Sequence, residues 1–437
     1  MQRSLLRHRD FVLLWSGQTV SEVGSQISVL ALPLVAVVVL GADAWQVGLL
    51  TAAGTSAYLL VSLPAGAVVD RVRKRPLMLG CDLGLLAVIG SVPVAHALGV
   101  LTLGQLYAVA FAAGVLSVFF SVAYQSYLPV LLEQGQLMDG NGKIAATQSA
   151  AQIAGPGVGA GLVAAVGAAA AMAADAVSFA LSAVSLGAIR GRERKPAGAA
   201  GVVGAAGAAG AAGAVAATTL RAQIAEGLRH VVRDPILRNS VAFNGTANFF
   251  VVMVETLGPV FLVRSLHVPP GLVGLLMALG AVGGVAGGVA AKSLARGVGS
   301  ARVSWLAMTL FSLPGLLIPL AGHGGRAVLY GVGWSAWTFS AVVANISLTS
   351  YRQASCPPGM IGRVSAAARW INWGTLPLGG LAGGALAGAV GVRATLWIAT
   401  VGGCCSGLWL FFSPLRGMRD IPLGRWSLSL GRDGAVT

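Results

Sequence analysis

Long runs of apolar residues dominate this chain and restrict the folds that it can adopt. A helix that crosses a lipid bilayer needs roughly 20 mainly apolar residues. Runs of this kind lie near residues 11–40, 47–69, 77–97, 103–127, 144–166, 168–189, 239–262, 271–291, 303–321, 327–349, 364–389 and 393–412. Only 10% of the residues are charged, whereas soluble domains contain about 25%. The sequence therefore predicts an all-α integral membrane protein with 12 transmembrane helices, divided into six, a long connection and six more.

The basic residues predict how these helices are oriented. If the N-terminus lies inside, the inner segments hold 26 of the 29 Lys and Arg residues, and the outer loops hold only Arg264, Arg326 and Arg393. Cytoplasmic segments carry such an excess of basic residues. Because the basic residues form short groups between apolar runs, the net charge of +15 indicates contact with a membrane surface and no nucleic acid. We expect a multi-pass membrane protein with both termini in the cytoplasm.

The middle of the chain predicts a cytoplasmic linker. Residues 197–217 are uncharged and contain no Leu, Ile or Phe, and Gly recurs at every third position from 198 to 213. A thirteenth span here would place every later basic group outside, so a flexible linker is favoured. In residues 221–240 the apolar positions Ile224, Leu228 and Val231 have helical spacing, which predicts an amphipathic surface helix. We expect an N-terminal segment at 1–10, six-helix bundles at 11–189 and 239–412, this linker at 190–238 and a tail at 413–437.

Three short matches indicate that the two bundles are repeats. At an offset of 220 residues, Gly142, Lys143 and Gly159 correspond to Gly362, Arg363 and Gly379, and Gly66-Ala-Val-Val-Asp70 lies 222 residues before Gly288-Val-Ala-Ala-Lys292. Internal repeats of this kind are typical of transporters whose substrate site lies between the repeats, near the bilayer midplane. A membrane enzyme has no evident need for them.

The segment between the second and third runs holds five charged residues among the six positions 70–75. It resembles motif A of the major facilitator superfamily, through Gly66, Asp70, Arg71, Lys74 and Arg75. Other stretches are similar to a bacterial exporter branch that includes enterobactin and macrolide efflux proteins: RDFVLLWSGQTVSEVGSQISVLALPL, AYQSYLP, GPGVG, DAVSFALSA and GRVSAA. The resemblance implies the major facilitator fold and export of a drug or metabolite.

The resemblance also implies roles for two motifs. Asp70 would face the start of the eleventh helix, at Gly362 and Arg363, and latch the two bundles together. The alternative is a basic loop that only sets the topology. Gly155, Pro156 and Gly159 resemble the antiporter motif of exporters, in which small residues allow tight helix packing, although such a cluster is also ordinary in packed helices.

Carboxylates inside membrane spans are costly and are usually functional. Four lie within the predicted spans: Glu22, Asp82, Asp175 and Glu255. Gln18 shares a helical face with Glu22, as Asn244 and Asn248 do with Glu255, so both faces are candidates for proton coupling or substrate binding. The alternatives are polar stripes that hydrate a cavity and, for Asp82 and Asp175, contacts that hold helices together. Trp337 and Trp370 are candidate cavity aromatics, with packing or interfacial anchoring as the alternative.

These features predict a secondary active transporter that exports a lipophilic or amphipathic small molecule (a drug, siderophore or secondary metabolite) by alternating access. We expect a monomer that exchanges its substrate for protons, driven by the proton gradient, with no cofactor and no metal. The chain has neither a GxxxxGK(S/T) nucleotide motif nor a Ser/His/Asp set, so it is not predicted to be an enzyme. A facilitator or importer, or a membrane scaffold or sensor that does not transport, are the alternatives.

Overall fold

The computed structural model describes Leu5 and residues 8–132, 136–190, 228–355 and 361–420. Throughout these residues the regular structure is helical, which confirms the predicted all-α membrane fold. The chain divides into two compact units, which we call unit 1 (Met1–Ala214 with Pro269–Leu275) and unit 2 (Val215–Val268 with Leu276–Thr437).

The described residues form 12 long helical segments. The first six are α1 Arg9–Leu34, α2 Ala44–Arg71, α3 Lys74–Ala97, α4 Leu103–Leu131, α5 Leu137–Val166 and α6 Ala168–Ala188. The other six are α7 Pro235–Val260, α8 Pro270–Val298, α9 Ser300–Leu320, α10 Val328–Ser355, α11 Ile361–Val390 and α12 Val392–Phe411. Helices α1 and α7 each continue into a π-helical turn, at Val35–Val39 and Phe261–Ser265.

Eleven of these segments in the described part of the chain are long and apolar enough to cross a membrane. The segment that does not meet this criterion is α11, although it is 30 residues long and was predicted to be a span. Its length is sufficient for a span, but glycine recurs through its second half and lowers its hydropathy. Small residues in such a helix allow close packing against its neighbours.

Side-chain caps fix several helix starts. Asp43 and Gln46 form a reciprocal capping box at the start of α2, with N···O distances of 2.8 and 2.9 Å. Asp234 Oδ1 accepts hydrogen bonds from the backbone N–H groups of Ile236 and Leu237, and Pro235 occupies the first helical position. Helix α7 therefore begins four residues before the span predicted from hydropathy.

The predicted surface helix before α7 is described only at its end. Residues 228–233 are helical, with Leu228 and Val232 exposed and Val231 buried in the core of unit 2. The Ala- and Gly-rich segment and the first part of the predicted amphipathic helix lie outside the described residues.

Within unit 1, α1 packs against α5 and α6, α2 against α4, and α3 against α4 and α6. Glycines lie at the closest crossings. A Cβ at Gly114 of α4 would come within 2.9 Å of the Ala57 Cβ of α2, and closer still to the Gly54 carbonyl oxygen. Small residues of this kind bring membrane helices into van der Waals contact where lipid supplies no hydrophobic driving force.

Within unit 2, α7 packs against α11 and α12, and α8 approaches α10 through Gly283 and Gly287. The duplicated positions make matching contacts inside their own units. A Cβ at Gly159 of α5 would lie 3.3 Å from Ile27 Cα of α1, and one at Gly379 of α11 would lie 3.3 Å from Phe249 Cα of α7. The sequence repeat therefore corresponds to a repeated helix contact.

The α2–α4 crossing gives a direct test of this packing. Replacing Gly114 by Leu forces atoms into the Gly54 and Ala57 contact, and overpacking of this kind costs about 1–3 kcal/mol. We expect Gly114→Leu to lower the amount of folded protein recovered from membranes, measured by fluorescence size-exclusion chromatography. Gly104→Leu on the same helix is the matched control, because a Cβ at Gly104 meets no atom within 4 Å. Equal recovery of both variants would contradict the packing argument.

Candidate functional site

Unit 1 brings polar and aromatic side chains together around Glu22. Glu22 lies in the middle of α1 and is half-buried, and Gln18 Nε2 approaches its Oε2 at 3.5 Å from one helical turn away. Tyr58 of α2 and Tyr124 of α4 lie near enough for the Glu22 charge to act on both phenol groups. Three helices thus contribute to one polar group inside an apolar bundle.

Two buried polar atoms in the region of Glu22, one on α1 and one on α4, have no hydrogen-bond partner. They are Gln18 Oε1 and the Tyr124 hydroxyl, and the Tyr124 ring stacks on Phe120 with centroids 6.1 Å apart. Buried polar atoms in proteins almost always find a partner, so each exception calls for an explanation. An acceptor, a hydroxyl and a carboxylate beside aromatic rings make this group, which we call the Glu22 site, suited to a polar or cationic group on an apolar molecule.

The other two candidate carboxylates of unit 1, Asp82 and Asp175, lie deeper. Asp175 of α6 is 1% exposed and accepts a hydrogen bond from Ser178 Oγ at 3.2 Å. Gly24 of α1 makes room for it, because a Cβ there would lie 2.7 Å from Asp175 Oδ1. Asp82 of α3 is also 1% exposed, and both of its carboxylate oxygens lack a hydrogen-bond partner. Asp175 thus lies where α6 meets Gly24 of α1, and Asp82 lies where α3 meets Ser182 of α6.

The charged loop after α2 makes a contact that its sequence did not predict. Arg75, in the first turn of α3, donates from Nε to the Leu186 carbonyl at 2.8 Å and from one terminal nitrogen to the Gly187 carbonyl at 2.7 Å. These carbonyls belong to the last turn of α6, where orphan acceptors attract cations. Arg75 therefore ties α3 to the end of α6 in addition to any role at the membrane surface.

The remaining motif A residues are located by their backbone. Gly66 and Asp70 lie near the end of α2, which ends at Arg71, and Lys74 begins α3. A Cβ at Gly66 would meet no atom within 4 Å. The side chain of Asp70 and the side-chain surroundings of Gly362 and Arg363 lie outside what the structure describes. The latch between them remains a prediction.

The antiporter-type cluster lies on the face of α5 that meets α1. A Cβ at Gly155 would come within 2.7 Å of Gln26 Cγ, and Gly159 lies against Ile27. Pro156 falls inside α5 without ending it. The Trp15 indole N–H donates to Thr147 Oγ1 at 2.9 Å along the same pair of helices. Tight α1–α5 packing is thus a property of unit 1.

In unit 2 the polar side chains on one face of α7 have different surroundings. Asn244 Nδ2 donates to the Ser240 carbonyl of its own helix, and Asn248 Nδ2 donates to the Asn372 carbonyl of α11 at 3.3 Å. Glu255, two turns further along, is exposed and lies near the buried Tyr330 of α10. The two asparagines donate to backbone carbonyls, and Glu255 is the acid of this face.

The two candidate tryptophans have different environments. Trp337 of α10 is 1% exposed and packs against Gly315 and Gly403, although its indole N–H has no hydrogen-bond partner. Trp370 of α11 is 45% exposed. The surroundings of Trp337 favour a packing role, and Trp370 is accessible.

Taken together, long apolar helices in two units with matching internal contacts define a multi-pass membrane transporter fold. The chain belongs to the Major Facilitator Superfamily, whose sequence model matches residues 14–376. It is therefore a transporter and not an enzyme. No curated protein matches the chain closely enough to count as a relative.

Solved structures of low sequence identity share the fold. The chain is similar to a point mutant of the nucleoside transporter NupG, with a TM-score of 0.74, 11% identity and coverage of 92% of this chain and 99% of that one. It is similar to a bacterial homologue of the iron transporter ferroportin in an inward-facing state, with a TM-score of 0.69, 16% identity and coverage of 94% and 99%. A bacterial homologue of the human lysosomal transporter Spinster gives a TM-score of 0.65, 13% identity and coverage of 93% and 96%.

The Arg75 contact predicts a measurable effect on stability. Arg75→Ala removes two hydrogen bonds from a charged donor to the end of α6. We expect the free energy of unfolding to fall by about 1–2 kcal/mol, a modest change because the site is partly exposed. The apparent Tm of the purified protein in detergent should fall accordingly. Arg73→Ala is the control, since Arg73 is exposed and makes no side-chain cap at the start of α3. A Tm equal to that of the control variant would show that Arg75 does not anchor α6.

Proposed function

We propose that the protein exports a lipophilic or amphipathic cationic small molecule across the bacterial plasma membrane, by alternating access and in exchange for protons. The observation that carries the proposal is the Glu22 site, where a half-buried carboxylate lies beside two unpartnered polar atoms and aromatic rings. Ligand pockets commonly combine an apolar lining with a few convergent polar groups that fix orientation.

The chemistry of Glu22 suits both partners of an exchange. An ionised Glu22 attracts a cation, and aromatic faces such as those of Phe120 and Tyr124 favour cationic and apolar groups. A protonated Glu22 loses that attraction. Binding of substrate and binding of a proton therefore compete for one carboxylate, which is the requirement for antiport at a single acid.

Other parts of the chain support the direction and the gate. The tight packing of Gly155 and Gly159 on α1 agrees with the resemblance of this segment to the antiporter motif. Asp70 with Gly362 and Arg363 would latch the two bundles, and both termini would lie in the cytoplasm. Asp82 and Asp175 would mainly hold α1, α3 and α6 together, while Glu255 is the second candidate for coupling.

The coupling proposal predicts the behaviour of a charge-neutral variant. In cells loaded with ethidium, Glu22→Gln should slow efflux at least about tenfold, because the carboxylate that exchanges substrate for protons is gone. A tenfold change in rate corresponds to a rise of about 1.4 kcal/mol in the activation free energy of transport. Wild-type efflux should collapse with a protonophore. Asp139→Asn is the control, since Asp139 pairs with Lys143 on the exposed face of α5.

The possible outcomes separate the mechanisms. Efflux that survives the protonophore would contradict proton antiport, and downhill uptake that ignores the protonophore would instead identify a facilitator. Wild-type-like efflux by Glu22→Gln, with full sensitivity to the protonophore, would move coupling to another acid, with Glu255 the first to test.

The unpartnered Tyr124 hydroxyl gives a second test of the site. If it binds a polar group of the substrate, Tyr124→Phe removes one hydrogen bond and should raise the apparent KM of transport about two- to tenfold. Maximal rate and protein level should change little, because no protein partner loses a bond. Tyr107→Phe on the same helix is the matched control. A KM in Tyr124→Phe equal to that of the control would exclude Tyr124 from substrate binding.

A further inference from the structure

The three arginines that break the charge asymmetry of the sequence lie in one region of unit 2. Arg264 belongs to the π-helical turn after α7, Arg326 to the 3-10 turn before α10, and Arg393 to the first turn of α12. The end of α7, the end of α9 and the start of α12 lie at the same end of this helix bundle. The three residues are separated by more than 60 positions in sequence, so the fold and not a local motif brings them there.

The loop between α9 and α10 contributes Arg326 and His323 and contacts the side chains of Arg393 and His267. Arg393 donates to the Ala321 carbonyl at 3.0 Å and lies over the Phe261 ring at 5.5 Å. A Cβ at Gly322 would be 3.4 Å from the Arg326 Cβ and Cδ atoms, so the stem of Arg326 covers this residue. The His323 ring stacks on His267, with centroids 5.8 Å apart. Ala321 and Gly322 of this loop therefore each contact an arginine side chain, and His323 contributes a histidine ring.

The backbone holds His267 in an unfavourable conformation. Its φ is 54°, and among the described residues no other non-glycine residue has a positive φ. The chain on either side is fixed, because Leu266 N–H donates to the Phe261 carbonyl at 3.1 Å and Val268 N–H donates to the Leu262 carbonyl at 2.9 Å. Left-handed conformations of non-glycine residues concentrate at functional sites. The strain places the His267 ring against His323.

Glu255 of α7, nine residues before Arg264 and near Tyr330 of α10, is the acid that precedes this region in sequence, and within the described residues it forms no ion pair with an arginine. The sequence contains no Asp or Glu between Glu255 and Asp420. Asp420 accepts a hydrogen bond from Ser300 N–H, at the opposite end of α9 from His323. Within the described residues, neither Arg264 nor Arg326 forms an ion pair with an acid. Arg393 uses one of its five N–H donors on Ala321, and an imidazole supplies a donor in either protonation state.

We propose that Arg264, Arg326 and Arg393 with His267 and His323 form an anion-binding site for a phosphate-type group at this end of unit 2. Arginine donors match the oxygens of such anions. The anion would occupy the positive region beside the α9–α10 loop. The group can belong to an anionic lipid headgroup or to a soluble anion, and the two sources share this chemistry. The site is independent of the Glu22 site, which lies in the other unit.

Thermal unfolding of the full-length protein in a neutral detergent tests this site. The probes are dihexanoyl-phosphatidylglycerol and inorganic phosphate, each at constant ionic strength because salt screens exposed charges, with dihexanoyl-phosphatidylcholine as the zwitterionic control. At least one anionic probe should raise the Tm of the wild type. Arg326→Gln and His323→Ala, both at exposed loop positions, should each lose at least half of that increase.

Arg302→Gln is the matched control, because Arg302 is an exposed arginine at the opposite end of α9, about 30 Å away along a helix of 21 residues. It should keep the full increase in Tm. A response to phosphatidylglycerol alone identifies a lipid headgroup, and a response to phosphate identifies a soluble anion. The proposal is overturned if neither anion stabilises the wild type, or if the loop variants and Arg302→Gln respond equally.

Discussion

Close packing of helices through small residues is the constraint on which this structure depends. Lipid is as apolar as a leucine side chain, so the hydrophobic effect does not drive one membrane helix against another. Van der Waals contact must do so, and contact requires that backbones approach. Gly114 allows this between α2 and α4, Gly283 between α8 and α10, and Gly159 and Gly379 at the matching α1–α5 and α7–α11 contacts. Part of the glycine content of the chain, 62 of 437 residues, has this physical use.

Tight apolar packing makes the few buried polar groups informative. Most are satisfied locally: Asn248 donates to α11, Ser178 donates to Asp175, and many Ser and Thr hydroxyls donate to the preceding helical turn. Gln18 Oε1 and the Tyr124 hydroxyl are not satisfied, and both lie beside Glu22. Asp82 and Trp337 also carry unpartnered atoms, but both residues are almost fully buried, whereas the atoms of Gln18 and Tyr124 lie near the half-buried Glu22.

The sequence predicted the helical spans well because each span must match the bilayer, and most predicted ends lie within a few residues of the observed ones. The start of α7 was placed too late, since the cap at Asp234 is a local hydrogen-bond feature that hydropathy does not register.

The sequence identified Glu22 as a candidate but did not connect Tyr58 or Tyr124 with it, because each lies on a different helix. The sequence placed Arg75 in the basic segment that resembles motif A, but its bonds to α6 depend on a contact over more than 100 residues. In the same way, loop charge counts gave Arg264, Arg326 and Arg393 as three exceptions but not as one cluster.

In the proposed mechanism, substrate and proton compete for Glu22. It is tested most directly by adding tetraphenylphosphonium to the purified protein in weakly buffered detergent solution and measuring binding and proton release together. The wild type should release a proton as it binds the cation, and Glu22→Gln should neither bind tightly nor release a proton. Binding by the wild type without proton release, or equal release by Glu22→Gln, would contradict it.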